Sequence, residues 1–405
     1  MNKLKKDNID SKEIRKNRVL NGKEPQDYSL ERIQQRIEFL ETFRNKKIKY
    51  LNNFKEKPLN YMGNIENLIG VTQVPTGIIG PVKIKGDYAK GDFYVPLATT
   101  EGAIISTYHY GANVVNKTEG ISTKVLSNNI HISPAFEINN LSDAIYFIEW
   151  INTNFVEIKK QAESTTKHGI LKSIDTNIVG QRVVVKFNYY TADAQGMNMI
   201  NVATDFACKF ISNQTKKKFF IRSNFSSVKK ISIRNCFEGY GRDVVAEVVL
   251  SKKILKMMLK VTPEQMLEQF HLCYTVSAEA GMLGVNAQAS NAIAAIYLAC
   301  GQDIADLSTS TICNGICNIN SNGDLFASVH LSNLLIGTVG GGTGLGTQRE
   351  CLEMIDCYGK DKADKLAEVI AAVVLCGEIA TTAALANGNF IQAHATLGRN
   401  KPKED

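Results

Sequence analysis

The chain has 405 residues, 44% of them hydrophobic and 21% charged, so it can bury a large core and is expected to divide into two or more units. Its net charge of +7 is concentrated in residues 1–57, which hold 16 Lys and Arg and 9 Asp and Glu. We interpret this bias as a solvated face, which argues against a nucleic-acid partner. Nine scattered cysteines without a C-x-x-C pair argue against disulfides and zinc, and predict a reduced protein with no metal.

The sequence also predicts that the protein does not cross or bind a membrane. No apolar run reaches the roughly 18 residues that a membrane span needs. The N-terminal run M-N-K-L-K-K lacks the apolar core of a signal peptide. We therefore expect a soluble, cytoplasmic protein.

The N-terminal segment, residues 1–57, has a polar start followed by a helical pattern. Ile33 and Ile37 repeat at helical spacing, and Ser29 is a plausible N-cap, so a helix is predicted from about residue 29 to residue 49. Packing, rather than chemistry, is its expected role.

The glycine-rich stretch that ends at Glu101 carries the first candidate site. Turns at Gly70, Gly77 and Gly80 would let the backbone approach a bulky ligand closely. Glu101 follows a strand-like run at 93–98, and burial there would favour the protonated carboxyl that general-acid catalysis needs. The alternative is a β-hairpin with a capping glutamate.

A helix-like run of small residues, 101–124, leads into a compositional island at 127–220. The predicted strands of this island are 130–138, 172–177, 182–189 and 217–222, and its predicted helices are 141–160 and 197–212. The resulting order, β-α-β-β-α-β, is the ferredoxin-like split motif. Several RNA-binding domains share this order, but V-V-V-K-F-N-Y-Y lacks the Gly-Phe-Gly context expected of them, which disfavours nucleic-acid binding.

From residue 262 onward the chain is predicted to be helical. A helix at 289–300 is apolar on all sides and is expected in the core. It leaves Asp303 at its end, where a buried carboxylate would need a lysine or a protonated glutamate; the alternative is a helix-end cap that reaches solvent. A longer helix, 362–385, has Asp361 as candidate cap and Gly388 as stop.

Three further places combine residues suited to binding or catalysis. The run D-A-Q-G-M-N-M, residues 193–199, begins a helix and can hold an anion or a nucleotide; the alternative is an N-cap box. Lys229 and Lys230 lie in a polar loop, where a lysine is usually solvated, although a desolvated one could polarise a carbonyl. The glycine-rich run 336–346 can cradle phosphates but does not match G-x-G-x-x-G, which disfavours a Rossmann domain. His394, before the basic tail, is either a surface or a catalytic residue.

Together these motifs resemble the 3-hydroxy-3-methylglutaryl-coenzyme A (HMG-CoA) reductase family. The matching runs are E-N-L-I-G, P-T-G-I-I-G-P, A-T-T-E-G, D-A-Q-G-M-N-M, A-C-G-Q-D and G-T-V-G-G-G-T, in the family's order across roughly residues 60–400. A-T-T-E-G resembles the class I, NADPH-using branch. The resemblance implies an α+β fold, in which a large helical domain (58–126 and 221–398) surrounds a buried central helix. A ferredoxin-like, NADPH-binding domain would be inserted at 127–220, and the tail 399–405 is expected to be disordered.

The resemblance implies reduction of an acyl thioester to a primary alcohol with two molecules of NADPH, in first place HMG-CoA to mevalonate and free coenzyme A for isoprenoid biosynthesis. Lys229 would stabilise the oxyanion, Glu101 would donate a proton, Asp303 would tune both, and His394 would protonate the departing thiolate. The residues implied to hold NADPH are Asp193, Gly196, Met197, Asn198, Met199, Gly337, Thr338, Val339, Gly340 and Gly341. The family also implies a homodimer or homotetramer with its active site at the subunit interface.

Several groups that would recognise the substrate depart from the family pattern. Lys124 stands where an arginine is usual, and Val228 replaces an aspartate before the catalytic lysine. The other departures are Arg222 for a serine, His271–Leu272 in place of a lysine, N-A-Q-A-S-N at 286–291, and His109–Tyr110 in place of an Asn-Arg pair. The implied substrate-binding residues are Lys124, Lys230, Asn291, His109 and Tyr110.

Because the catalytic residues are retained while this pocket is altered, we predict a working reductase and keep two alternatives. The first is an enzyme that reduces another acyl-CoA or a carrier-protein thioester, as in secondary metabolism. The second is a non-catalytic homologue.

Overall fold

The structure is a computed structural model that describes residues 26–391 of the chain. The described residues form two compact units. The first comprises residues 26–75 and 344–346, and the second comprises residues 76–343 and 347–391.

The first unit contains helix α1, Leu30–Arg44. The side chain of Ser29 accepts a hydrogen bond from the Arg32 N–H at 3.2 Å, which confirms the predicted N-cap. The helix ends earlier than predicted because Asn45 adopts a left-handed conformation with φ of 52°. The buried apolar side chains of this unit are Tyr28, Ile33, Ile37, Tyr61 and Leu68.

The second unit is built on ten strands. They are β1 Thr76–Gly86, β2 Lys90–Ala98, β3 Ile121–Ile132, β4 Ala135–Glu137, β5 Ile170–Val179, β6 Arg182–Tyr190, β7 Phe219–Phe220, β8 Gly241–Leu250, β9 Cys313–Ile319 and β10 Leu325–Leu334. The helices after α1 are α2 Ile104–Val115, α3 Leu141–Thr153, α4 Phe155–Glu163, α5 Met197–Thr215, α6 Ile233–Glu238, α7 Lys252–Ile254, α8 Pro263–Glu279, α9 Ala289–Ala299, α10 Leu307–Ser310, α11 Gly346–Met354 and α12 Ala363–Ala386.

The strands form one sheet in which β3 is shared by two halves. The strand order is β7-β4-β6-β3-β8-β10-β9, with β5 paired to β6 and the β1–β2 hairpin joined to β3 through β1. The first part of β3 pairs with β1 and β8, and its last residues, 130–132, pair with β6. The fold is therefore a mixed α+β fold, as predicted.

The element order of the 127–220 island is confirmed. Its four strands lie in the order β7-β4-β6-β5, and each neighbouring pair is antiparallel, as in the ferredoxin-like motif. The first predicted helix is two helices, α3 and α4, which meet at Asn154. The island has its own core, which includes Phe136, Phe147 and Phe187, all fully buried. Because β3 continues into the rest of the sheet, the domain boundaries stay a prediction.

Helix α12 is the most apolar long helix of the described chain. It is long and apolar enough to cross a membrane, but 72% of its most apolar window is buried inside the molecule, as expected of a core helix. The predicted cap is wrong, because Asp361 has a φ of 59° and the carboxylate of Asp193 accepts the N–H groups of this turn instead. The predicted stop at Gly388, with φ of 75°, is confirmed.

Three other expectations are wrong. The helix-like run to residue 124 ends at Val115, and β3 begins at Ile121 after Gly120 takes a φ of 108°. Gly77 and Gly80 lie within β1, where the register shifts between Ile79 and Val82, so the β-hairpin of the alternative is observed, but without its capping glutamate. Finally, β9 and β10 lie in the region that was predicted to be helical.

Candidate active site

Three of the sequence motifs form one hydrogen-bonded cluster. The carbonyl of Asp193 accepts the Thr338 N–H at 2.9 Å. The side chain of Gln302 accepts the Gly337 N–H at 2.8 Å and donates to its carbonyl at 3.0 Å. A Cβ on Gly337 would lie 2.7 Å from the backbone nitrogen of Gln195, so only glycine fits here without a shift. The predicted cofactor motifs and the A-C-G-Q-D motif therefore meet in space.

Arg242, on β8, fixes this cluster and was missed in the sequence. Its guanidinium is 3% exposed and donates to the Ala192 carbonyl at 2.6 Å and to the Ile336 carbonyl at 3.3 Å. Its Nε bonds Asp364 at 2.7 Å, at the start of α12. A charged residue at an inward-facing strand position is the signal that could have pointed to it.

Lys229 and Asp303 form the central ion pair of the site. The Lys229 Nζ lies 2.5 Å from Asp303 Oδ2, which confirms the predicted lysine partner. The other carboxylate oxygen, Oδ1, accepts the Ala305 N–H at 3.0 Å. The expected burial of Asp303 is wrong, because its side chain is 42% exposed; the chain turns outward after α9 at Gly301, where φ is 67°.

The loop before Lys229 holds this lysine in a left-handed conformation with φ of 55°, which is uncommon for a residue with a side chain. Val228, the residue that departs from the family pattern, is 8% exposed and packs in the core of the ferredoxin-like island. The Ser227 hydroxyl donates to Asn235 Oδ1 at 2.8 Å. Val228 therefore acts as an apolar anchor directly beside the lysine.

Asp306 is a buried carboxyl group that the sequence reasoning missed. It is 1% exposed, and its Oδ2 accepts Gln195 Nε2 at 2.5 Å. Its Oδ1 has no hydrogen-bond partner among residues 26–391. Burial raises the pKa of Asp306 to about 6; the Gln195 hydrogen bond opposes this shift, the charge of Asp303 adds to it, and Lys229 opposes it. The buried carboxyl that the sequence placed at Asp303 is thus found one turn later.

Asp306 should lower the stability of the fold near neutral pH. Its pKa is about 6 in the folded protein against a reference of 3.8, so the folded state holds this proton more tightly than the unfolded chain. The resulting cost is absent well below the reference value, builds as pH rises to 6, and is complete above it. We expect Asp306→Asn to raise the free energy of unfolding by up to about 3 kcal/mol at neutral pH, and far less near pH 4.

Urea denaturation at both pH values measures this gain. Asp205→Asn is the matched control, because Asp205 lies partly exposed on α5, in an ion pair with Lys209. A loss of stability in Asp306→Asn at both pH values would contradict the prediction.

Glu101 lies in the turn between β2 and α2 and is exposed in the single chain. Its N–H donates to Thr99 Oγ1 at 3.1 Å. Within residues 26–391 its carboxylate has no hydrogen bond or ion pair. The burial predicted for this side chain is therefore wrong for one chain alone. His394 lies outside the residues that the structure describes.

The predicted substrate-binding residues each have a partner within the chain. The Lys124 ammonium pairs with Asp87 at 2.9 Å, with both groups exposed. The remaining contacts are Asn291 Nδ2 to Gln288 Oε1 at 2.9 Å, Lys230 Nζ to the Val228 carbonyl at 3.3 Å, the Gly80 N–H to His109 Nδ1 at 3.4 Å, and the Tyr110 hydroxyl to the Met258 carbonyl. The structure does not group these residues around a common ligand position through direct contacts.

Eight of the ten predicted cofactor residues, all except Gly196 and Gly337, fall into a supporting set and an accessible set. The supporting set comprises Asp193, whose carboxylate accepts N–H groups at the start of α12; Met197, in the core; Met199, whose sulfur accepts the Thr166 hydroxyl; and Thr338, whose hydroxyl donates to the Gly359 carbonyl. The accessible set comprises Asn198, Val339, Gly340 and Gly341.

The accessible set fits a phosphate-bearing cofactor. Helix α5 begins after Gly196, which has φ of 88° and no side chain to cap the helix; Gln195 accepts the Met197 N–H, and no side chain caps the N–H groups of Asn198 and Met199. Unpaired N–H groups at the start of a long helix attract an anion. Gly340 and Gly341 have φ of 73° and 56°, and a Cβ on either would meet no atom within 4 Å, so their backbone is open to a ligand.

Known proteins resemble this chain over most of its length. The family model described as Hydroxymethylglutaryl-coenzyme A reductase matches residues 32–399. A 3-hydroxy-3-methylglutaryl-coenzyme A reductase of Methanocaldococcus jannaschii is 43% identical over 83% of this chain and 84% of its own length. One from Methanothermobacter thermautotrophicus is 37% identical over 83% of this chain and 85% of its own length.

A solved structure of the Streptococcus pneumoniae reductase superposes with a TM-score of 0.67, over 90% of this chain and 99% of that one. At 16% identity this likeness concerns the fold alone. The names of the two archaeal relatives do not state a reductase class, so the assignment of this chain to class I stays a prediction. With the family model spanning most of its length and archaeal relatives of this similarity, the chain belongs to the HMG-CoA reductase family.

Proposed function

We propose that this chain reduces HMG-CoA to mevalonate and free coenzyme A, as an NADPH-dependent oxidoreductase of its family. The observation that carries the proposal is the Lys229–Asp303 ion pair at 2.5 Å, on the Asp306 turn that bonds the start of the predicted cofactor helix through Gln195. A cation linked through this turn to the predicted cofactor helix suits a reaction that develops negative charge on a carbonyl oxygen.

Lys229 has the geometry of an oxyanion stabiliser. Its side chain is 41% exposed, so it is accessible to a substrate, and the carboxylate of Asp303 orients it. The left-handed backbone and the buried Val228 fix where the side chain leaves the loop. A pre-oriented cation needs little reorganisation when charge develops on the substrate oxygen.

NADPH supplies the hydride when it is bound. The backbone at the start of α5, with Asn198, and the open loop of Val339, Gly340 and Gly341 would hold it. Asp193 and Thr338 would support these cofactor-binding segments rather than bind NADPH with their side chains. The Asp193 carboxylate and the Thr338 hydroxyl already have hydrogen-bond partners in the protein.

Glu101 and His394 would supply protons, and we infer that the site is completed in a homodimer or homotetramer. This inference is supported by the exposure of Glu101 in the single chain, because a partner subunit can provide the burial that favours a protonated carboxyl. A cytoplasmic location is part of the same proposal.

Oxidation of NADPH by the purified protein tests the proposed reaction. We expect HMG-CoA to be turned over with kcat on the order of 1–100 per second, because the ion pair and the cofactor loops are assembled. Acetyl-CoA, other acyl-CoA thioesters and a carrier-protein thioester serve as competing substrates. Preference for one of these over HMG-CoA would overturn the substrate assignment and point to the altered groups around Lys124 and His109.

A further inference from the structure

Among residues 26–391, Asp306 is the one carboxylate that is almost fully buried and has an oxygen without a hydrogen-bond partner. Buried carboxylates normally have every oxygen paired, because an unpaired polar atom away from water is costly. Here Oδ2 is paired with Gln195, whereas Oδ1 has no partner within the described part of the chain. A half-paired buried carboxylate does not stabilise the core, so we expect Asp306 to have a role in the site.

The position of Asp306 is rigidly coupled to the central ion pair. Asp303 and Asp306 occupy the two ends of a single turn of 3-10 helix, Ile304–Asp306. The Asp306 N–H donates to the Asp303 carbonyl at 3.0 Å, and the Asp303 carboxylate caps the same turn. A displacement of Asp306 therefore moves the carboxylate that holds Lys229.

Gln195 connects this turn to the start of α5. Its Nε2 donates to Asp306 at 2.5 Å, and its Oε1 accepts the Met197 N–H at 3.3 Å. The amide nitrogen of Gln195 therefore bonds Asp306, and its oxygen bonds the first residue of α5. The packing of Gly337 against the Gln195 backbone leaves this bridge little freedom to move.

We propose that Asp306 and Gln195 form a positioning pair that couples the Lys229–Asp303 ion pair to the cofactor-binding start of α5. The inference rests on the proposed function, since it takes Lys229 as the oxyanion stabiliser and α5 as part of the NADPH site. In this arrangement, the ionised Asp306 adds negative charge near Lys229, and the amide transmits the position of the turn to the helix.

Protonation of Asp306 alters both effects. The charged and titratable groups that act on it or respond to it are Asp303, Lys229, Tyr240 and Tyr297. Burial raises the pKa of the two tyrosines further above their usual range, so they stay neutral while Asp306 titrates. Histidine side chains also titrate in this range, and His394 is a proposed proton donor. The part of the pH dependence near 6 that Asp306→Asn removes should therefore report Asp306.

The test compares Asp306→Asn, Gln195→Leu and the double variant Gln195→Glu with Asp306→Asn. NADPH binding is measured by its fluorescence without any thioester, and kcat and KM are measured from pH 5 to pH 8. We expect Gln195→Leu to raise the dissociation constant for NADPH about tenfold. Asp306→Asn should lower kcat about tenfold at neutral pH, because it disturbs the turn that positions Asp303 and Lys229, and it should flatten the change near pH 6.

The double variant should recover most of the NADPH affinity that Gln195→Leu loses, because an asparagine amide can donate to a glutamate in the reversed direction. Asp205→Asn, on the same helix, is the control for a lost surface carboxylate. Urea denaturation of each variant excludes unfolding as the cause. The proposed positioning pair would be wrong if both single variants kept the NADPH affinity and the pH profile of the unaltered protein. Failure of the unaltered protein to reduce HMG-CoA would instead overturn the proposed function, and NADPH binding would still decide whether the bridge matters.

Discussion

Lys229→Ala should lower kcat for HMG-CoA reduction by about 10²–10³-fold, with a much smaller effect on NADPH binding. The expected loss is that of removing a donor aimed at a developing oxyanion. Within the described residues the lysine has one close carboxylate partner, Asp303 at 2.5 Å. Removing the ammonium therefore takes away the cation that the structure orients there, and it leaves a negative charge that opposes the oxyanion.

The fold should survive this change. The Lys229 side chain is 41% exposed, and its loop is anchored by the buried Val228 rather than by the lysine. Lys209→Ala is the matched control, because it also removes a lysine that pairs with an aspartate, at 2.6 Å on the surface of α5. It should leave kcat within about twofold, since exposed pairs contribute little.

Lys229→Arg separates charge from geometry. A guanidinium keeps the positive charge but presents it as a wide planar fork, so we expect it to recover only part of the lost kcat. If Lys229→Ala retained more than a tenth of the original kcat, the oxyanion role would be wrong, and the ion pair would be structural.

The parts of the fold that the sequence predicted correctly are those with strong local periodicity. The apolar helix α9 and the alternating elements of the 127–220 island are examples. Strands β9 and β10 were missed, because their formation depends on pairing between residues distant in sequence. Strand β10 pairs with the distant β8, and β9, at the edge of the sheet, pairs with β10.

The candidate site shows the same division. Lys229 and Asp303 were predicted from their motifs, and the structure brings them together. Asp306 and Arg242 were not predicted, because their burial depends on three loops that meet only in the folded chain. Asp306, and not Asp303, is the buried carboxylate because the chain turns at Gly301. This glycine has a left-handed φ of 67°, which the hydrophobic periodicity of the sequence does not predict.

Gly111→Ala should destabilise the fold by about 4 kcal/mol and abolish activity with it. Gly111 is the buried crossing point of α2 and α12, where an added Cβ would lie 2.0 Å from the carbonyl oxygen of Cys376. Alanine is favoured over glycine in a helix by about 1 kcal/mol, but the overlap with a backbone atom cannot be relieved by a side-chain rotation. The steric cost should therefore exceed the gain in helix propensity.

The same crossing links the core to the proposed chemistry, because α2 begins three residues after Glu101. Tyr108, also on α2, donates to the Gln288 carbonyl at 3.0 Å and packs against Gly377 of α12, so the helix has little freedom to move away. Gly344→Ala is the control: its Cβ would meet no atom within 4 Å. We expect urea denaturation to show a large loss for Gly111→Ala and almost none for Gly344→Ala. A stable Gly111→Ala protein with unchanged kcat would mean that α2 can shift without moving Glu101, and that the turn carrying this glutamate is positioned by something other than the core.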